Sequence, residues 1–525
     1  MNTAPKNFLI SAGLFLSVLT SCQKEAENNV VAEGSIAEIS VEKPRTIVTT
    51  DGEIDDVDSF IRMLLYANEF NIEGLIYSSS MWHYKGDGMG TKFISEMEMT
   101  RDIYGEQTDL RWPGTSWMQD LINAYGEVYP NLSLHADGFP EPEYLMGLVH
   151  VGNIDFEGEM DKDTEGSDFI REKLLDDNSE PIYLQVWGGT NTIARALKSI
   201  QDEYEETDEW EGIYRKVCDK AIIYAILDQD ATYRNYIAPE WPDLRIFYNS
   251  NQFWCFAYPW KRALPEPWYP YLQGEFMRDH IVSGHGPLLA KYYVYGDGQK
   301  QEGDPEHIHG ADLEAFNDTQ LGKQWGPFEP YDFISEGDSP AFLHLIDVGL
   351  DNLEHPEYGG WGGRLIQSDS LPNRWEDGPE AADWNPFRDE LDATYPQTRW
   401  IPAIQEDFAA RADWCVLPYE QANHSPEVSV VRGTEIMVKA GDTISLLAEA
   451  SDPDGDNLAF RWWRYNEVDS YEGNLELDGS ESKDLQVLIP DDLEAGRTIH
   501  LILEVKDDAP HPMTRYARVI LVGEG

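Results

Sequence analysis

Two kinds of apolar spacing alternate along the first half of the chain. Thr46-Ile47-Val48-Thr49-Thr50 is a short β-branched run, and beyond an acidic stretch Val57, Phe60, Ile61, Leu64 and Leu65 fall at i, i+3, i+4, i+7 and i+8. The first predicts a buried strand and the second the inner face of a helix. Residues 71–78 (NIEGLIYS) then predict another strand, and strand, helix, strand in that order is a βαβ unit, which requires a parallel sheet. The order recurs: residues 182–187 (IYLQVW) predict a strand, Gly188-Gly189 a break, residues 192–202 a helix and residues 220–225 (KAIIYA) a further strand.

Between residues 239 and 400 the periodicity fails and the chain becomes heavy in Trp, Tyr, Pro and Gly, as in HPEYGGWGGR. Long loops of that composition on an α/β scaffold are more often functional than decorative. Beyond Ser425-Pro426 the pattern changes again. EVSVV, TISLLAEA, LAFRWWRY, DLQVLIP, TIHLILEV and RYARVILV alternate apolar and polar positions between Gly, Asp and Pro breaks, which predicts a β-sandwich of about seven short strands.

The amino terminus reads MNTAPKNFLISAGLFLSVLTSC: a lysine, an apolar run too short to span a bilayer permanently, then small residues. That is the order of a secretory signal peptide, and Leu19-Thr20-Ser21-Cys22 resembles the lipobox of bacterial lipoproteins, in which the cysteine is acylated and becomes the first mature residue. An ordinary signal peptide with an incidental Cys22 is the alternative. The reading divides the chain into a lipoprotein signal peptide (1–21), a flexible polar tether (22–44), an α/β domain (45–422) and a β-sandwich (425–525). It expects an exported lipoprotein at the outer membrane or cell surface of a Gram-negative bacterium, touching the membrane by its lipid only.

Charge narrows the partners. The 525 residues carry 97 Asp plus Glu against 39 Lys plus Arg, a formal charge of −58, which excludes a phosphate-backbone binder and hence a nucleic-acid partner. With 17 Trp, 27 Tyr and 19 Phe the chain is too aromatic for a solvated acidic polymer, so the charge coats a folded protein and raises the question of a bound cation. The carboxylates crowd one turn in particular, Thr49-Thr50-Asp51-Gly52-Glu53-Ile54-Asp55-Asp56-Val57-Asp58, where the chain leaves a buried parallel strand. Open α/β sheets bind ligands at the carboxyl ends of their strands. A hard cation such as Ca²⁺ relieves the repulsion of such a cluster and accepts six to eight oxygens. Capping of the following helix by Asp55 and Asp56 is the competing explanation, and accounts for one of them.

TTDGEIDDVDSF resembles the aspartate cluster of nucleoside hydrolases, in which calcium holds the nucleophilic water and the sugar hydroxyls. The resemblance implies that Asp51 is general base and metal ligand, that Asp56 is a bidentate ligand with Asp55 supporting it, and that Thr49 replaces the motif's opening aspartate. Trp187-Gly188-Gly189-Thr190-Asn191-Thr192 is similar to the family turn whose carbonyl binds calcium, which would fall on Asn191. Glu336-Gly337-Asp338-Ser339-Pro340 is similar to the segment whose aspartate, here Asp338, completes the metal shell, while Gly337 replaces a histidine that assists the leaving group. Together with Asp228-Gln229-Asp230 and GGWGGR, these segments resemble the branch of bacterial cellulose-binding proteins with a nucleoside hydrolase-like domain and a C-terminal sandwich. The implied fold is a mostly parallel sheet with flanking helices followed by an immunoglobulin-like β-sandwich.

The functional expectation is a calcium-dependent glycoside hydrolase acting on a furanosyl or related bond in polysaccharide degradation. A non-catalytic carbohydrate-binding lipoprotein and a nucleoside hydrolase are the alternatives. Three further groups stand lower: His307-Ile308-His309, a loop pair with no third ligand at useful spacing; Asp452-Pro453-Asp454-Gly455-Asp456, an acidic turn lacking the EF-hand glutamate; and Trp462-Trp463, of which one faces a core and the other is free to reach a sugar.

Overall fold

The β-branched run is strand β1 (Arg45–Thr50), and all six of its residues are buried. With β2 (Asn71–Tyr77), β3 (Val149–Val151), β4 (Ile182–Val186), β5 (Ala221–Ile226), β6 (Arg245–Asn249), β7 (Ile366–Gln367) and β8 (Arg374–Glu376) it forms an eight-stranded sheet of order β3-β2-β1-β4-β5-β6-β8-β7. Every neighbouring pair is parallel except β8 with β7 at the edge. The structure is a computed structural model that describes residues 43–303 and 313–525. The expected signal peptide, Cys22, the tether up to residue 42, and His307 and His309 lie outside the described residues.

Period-two alternation assigns the strand side chains to two cores. Val48, Leu75, Tyr183, Tyr224 and Phe247 face one side, and Ile47, Ile76, Leu184, Ile223 and Ile246 the other. Helix α1 (Ile54–Leu65) lays Val57, Phe60, Ile61 and Leu64 on the first face, joined there by α2 (Trp117–His135). Helix α3 (Asn191–Tyr204) lays Ile193, Leu197 and Ile200 on the second. Both faces are covered, which is why the parallel strands read as apolar runs. Each such side chain taken fully from water contributes roughly 1.5–3 kcal/mol.

The polar side of α1 is buried as well. Asp58 and Arg62 are fully buried. The irregular region beyond residue 239 folds over them: the Tyr293 N–H donates to Asp58 Oδ1 at 2.8 Å, and Arg62 makes a two-pronged bond to Glu336 at 2.5 and 3.0 Å and a third to Gln405 at 2.6 Å. Glu336 leads into α4 (Ser339–Leu343), and Gln405 belongs to α5 (Ile401–Trp414). The long loops are therefore a packed second layer on the α1 side of the sheet.

Residues 427–523 form two four-stranded sheets around a core of their own, a β-sandwich. In chain order the strands are β9 (Glu427–Val430), β10 (Glu435–Val438), β11 (Thr443–Ser451), β12 (Ala459–Arg464), β13 (Leu477–Asp478), β14 (Asp484–Leu488), β15 (Thr498–Lys506) and β16 (Thr514–Gly523). One sheet runs β9-β11-β14-β13 and the other β10-β16-β15-β12.

The sandwich is not freely suspended, since Lys43–Gly525 is one compact unit. Asp383 is wholly buried between the two parts and accepts from Arg364 at 2.7 Å, Arg399 at 3.0 Å and the Tyr465 hydroxyl at 2.6 Å. Arg518 of β16, whose pKa burial lowers to about 10, donates to the carbonyls of Leu350 at 2.8 Å and Tyr358 at 2.9 Å. Trp462 is in the sandwich core. Trp463 turns the other way, as alternation requires, and is half-buried against Trp400 and beneath the guanidinium of Arg399.

Candidate functional site

The strand order reverses between β1 and β4, so a crevice opens beyond their carboxyl ends. At the end of β1 the chain turns sharply through Gly52, where φ is +81° and a Cβ would lie 2.7 Å from the Trp117 indole nitrogen. The left-handed conformation and the close approach both require glycine. The turn starts α1 at Ile54 and puts Asp55 and Asp56 in its first turn, where the helix dipole favours negative charge. Asp338 arrives from the opposite side at the amino end of α4, held there by the Arg62–Glu336 pair two residues earlier.

Carboxylate oxygens of Asp55, Asp56 and Asp338 lie within 4.8 Å of one another. Thr50 Oγ1 donates to Asp56 Oδ1, and Ser335 Oγ donates to Asp55 Oδ2 at 3.2 Å. The Oδ2 atoms of Asp51 and Asp56 are buried without a hydrogen bond among the described residues. Burial first, and then the charges of the neighbouring carboxylates, hold Asp55, Asp56 and Asp338 well above the usual carboxylate range. Orphaned, crowded oxygens with raised proton affinity fit a hard divalent cation, which replaces the missing donors and removes the repulsion.

Asp51 stands beside this trio. Its carboxylate is 1% exposed and lies 3.7 Å from Nδ1 of His83, a residue of the loop that follows β2. The Glu53 N–H donates to Asp51 Oδ1 at 3.3 Å. Burial pushes the Asp51 pKa up, but His83, Ser80 and the Glu53 amide together outweigh it, and the net direction is down. Gly188, at the end of β4, packs directly on this group: a Cβ there would sit 2.9 Å from that of Asp51.

Asn191, expected to supply a carbonyl ligand, opens α3. Its amide donates to Asp230 Oδ2 at 2.9 Å, and its side chain donates to Ser79 Oγ and the Asn153 carbonyl, each at 2.9 Å. Asp230 also accepts from the Thr232 amide at 3.0 Å. The turn is thus clamped to the segment after β5, and Gly188 is its point of contact with the acidic group.

A cavity of about 510 Å³ opens above the trio, its floor formed by Glu53, Asp55, Gly337 and Asp338. Trp82, Trp187, Phe253 and Tyr258 stand around it. Tyr258 stacks on Trp325 at 5.8 Å and 20°, and its hydroxyl donates to Glu53 Oε1 at 2.9 Å. Arg111 Nη2 is 3.9 Å from the same carboxylate. A Cβ at Gly337 would lie 2.7 Å from Asp55 Oδ2 and would press on that carboxylate.

The acidic turn identifies Asp51, Asp55 and Asp56, and resemblance adds Asp338, but neither singles out Glu53, His83 or Tyr258. The first two were within reach of the same argument, since Glu53 lies in the acidic turn and His83 follows the strand next to β1. Tyr258 had no local signal. The second acidic group, Asp452, Asp454 and Asp456, also brings its oxygens within 4.8 Å. There Asp452 Oδ1 accepts the amides of Asp454 at 2.9 Å and Asp456 at 3.1 Å, a turn that satisfies its own backbone.

Comparison with known proteins agrees with this architecture. The family described as "Cellulose-binding Sde182, nucleoside hydrolase-like domain" matches residues 45–365, and "Cellulose-binding protein Sde0182, C-terminal domain" matches residues 443–522. A solved structure described as a nucleoside hydrolase-related hypothetical protein from Saccharophagus degradans, associated with carbohydrate metabolism, is 27% identical. The likeness covers 92% of this chain and 100% of that one, with a TM-score of 0.66. A plant nucleoside hydrolase aligns with 72% of this chain and 100% of its own at 11% identity, but its TM-score of 0.28 is too low to support any shared reading. No curated protein matches.

Proposed function

The chain belongs to the cellulose-binding Sde182 family with a nucleoside hydrolase-like domain, and on that premise we propose that it is an exported, calcium-dependent hydrolase of a glycosyl bond. The observation that carries the reading is the juxtaposition of a buried carboxylate trio with the floor of a large aromatic cavity at the switch point of the sheet. Asp55, Asp56 and Asp338 would hold the ion. When bound, calcium supplies a Lewis acid that acidifies a ligated water.

The remaining work falls to the chain. Asp51, with its depressed pKa, is ionised at neutral pH and takes the proton of the attacking water as general base. His83 holds that carboxylate in place from behind. Trp82 offers a ring face to the apolar side of a sugar, and Glu53, fixed by Tyr258, offers an acceptor to its hydroxyls.

A second reading, a carbohydrate-binding protein without turnover, is favoured by one observation: position 337 is a glycine, so no proton donor acts from there. Asp51→Asn separates the two. In saturating calcium the enzyme loses about 10²- to 10⁴-fold in turnover while its affinity for an unreactive glycoside persists. Failure of the wild type to cleave any member of a broad panel of glycosides, nucleosides and polysaccharide digests, with glycan binding intact after chelation, would establish the binding protein instead. Export belongs to the same proposal, with Cys22 as the lipid-bearing residue. The intact protein should partition into the detergent phase and Cys22→Ala into the aqueous phase; aqueous partitioning of the wild type would refute it.

A further inference from the structure

Above its acidic floor the cavity changes character. The outer wall is made by Met99 and Ile103 of the short helix Glu98–Tyr104, by Leu321 and Trp325 of the helix Gln320–Trp325, and by Trp254. Met99 is 53% exposed, Ile103 62% and Trp254 37%. None of the five carries a carboxylate, amide, hydroxyl or imidazole. Large apolar side chains left in water around the mouth of a polar pocket mark the seat of an apolar group, because each gains from being covered.

Resting on the hydrolase reading, we propose that the mouth seats an apolar aromatic aglycone, and that the substrate class is an O-aryl glycoside whose sugar occupies the acidic floor. The occupant follows from the join between the two halves. From these five residues a sugar continuing outward would meet only the two indole N–H donors and no acceptor, and would leave most of its hydroxyls unpaired. A nucleobase would suffer likewise at its polar edge. A phenyl ring has no such edge, and the indoles of Trp254 and Trp325 suit its face.

The chemistry agrees. The water oxygen forms a bond to the anomeric carbon as the glycosidic carbon–oxygen bond breaks, the electron pair stays on the phenolic oxygen, and the water proton passes to Asp51. A phenol has a pKa of about 10, against about 15 for water-like alcohols, so phenolate departs without a donor at position 337.

The test uses the full chain in calcium and matched phenyl and methyl glycosides of α-L-arabinofuranose, β-D-ribofuranose and β-D-glucopyranose, with inosine as the polar-aglycone control. By calorimetry, in at least one pair the phenyl glycoside should bind about tenfold or more tightly than its methyl partner, and inosine should not share the advantage. The double variant Met99→Gln/Ile103→Gln, both on an exposed helix face, should cut the advantage by about threefold or more and leave methyl glycoside affinity unchanged. Equal affinity within every pair, absence of binding to all of them, an equal advantage for inosine, or a preference untouched by the double variant would overturn the inference. Variant-sensitive phenyl binding with no release of phenol would refute the hydrolase reading and leave the occupant of the mouth as stated. Cleavage of methyl and phenyl glycosides without a binding preference would do the reverse.

Discussion

Replacing Arg62 by methionine tests the frame on which the acidic site is built. Arg62 and Glu336 are both fully inaccessible, and their two-pronged contact of 2.5 and 3.0 Å is a charged link between α1 and the segment that carries Asp338. Methionine fills much of the same volume but leaves Glu336 as an uncompensated charge in the interior. Breaking a buried pair from one side costs about 3–5 kcal/mol. Two other donors, the Ser339 hydroxyl at 2.7 Å and the Tyr292 hydroxyl, stay on Glu336 and place the expected loss near the lower end, about 3 kcal/mol.

Urea unfolding followed by far-ultraviolet circular dichroism measures that loss, and the cycle Arg62→Met, Glu336→Gln and the double variant isolates the coupling. A coupling of about 2 kcal/mol or more is expected, because glutamine keeps an acceptor for Tyr292 and Ser339 without the bare charge. Calcium affinity should fall in Arg62→Met as well, since Asp338 loses its anchor. A loss below about 1 kcal/mol, or zero coupling, would refute the reasoning.

The remaining predictions concern the site and its surroundings. Asp338→Asn should lower calcium affinity by titration calorimetry, yet in chelator above neutral pH it should melt higher than the wild type: a carboxyl whose folded pKa is raised destabilises progressively as pH rises through the interval between unfolded and folded values, and asparagine does not. In calcium at one hundred times its Kd the wild type regains about 2.7 kcal/mol, so the order of melting temperatures should reverse on adding the ion; an order that never reverses would remove the ion from this site. Gly337→Ala places a Cβ against Asp55 and should cost about 1–3 kcal/mol together with calcium affinity, and an unperturbed variant would show that Asp55 is free to move. Glu157 is buried, and its pKa is pushed up to about 7 from 4.5, chiefly by burial. Its native state therefore holds a proton that the unfolded chain releases above pH 4.5, and stability is lost as pH rises from there to 7. Glu157→Gln should gain up to about 3 kcal/mol on the wild type across that window in pH-dependent unfolding, and parallel curves would contradict the assignment.

Legibility in the sequence follows the range of the forces involved. Strands β1, β2, β4 and β5 and helices α1 and α3 announce themselves through period, because each buries side chains against neighbours a fixed step away. Asp51, Asp55 and Asp56 were visible for a similar reason: the turn after a buried parallel strand is where a ligand belongs. Asp338 was visible only through resemblance. Local pattern says nothing of Asp58 and Arg62 going inside, since their partners Tyr293, Glu336 and Gln405 come from more than two hundred residues away. Tyr258 and Trp325 likewise meet only because the irregular region folds back on the sheet. Trp463 shows the limit of alternation, which fixes the side of the strand a residue takes but not what waits there.

The junction around Asp383 bears on how the molecule is aimed. A hinge needs faces that part into water at small cost, and parting these would take the Tyr465 hydroxyl from buried Asp383, the guanidinium of Arg518 from the Leu350 and Tyr358 carbonyls, and the indole of Trp463 from Trp400 and Arg399. The sandwich and the sheet therefore turn as one body. Any surface against which the sandwich comes to rest gives the cavity a single heading, and it reaches a bond presented along that heading only.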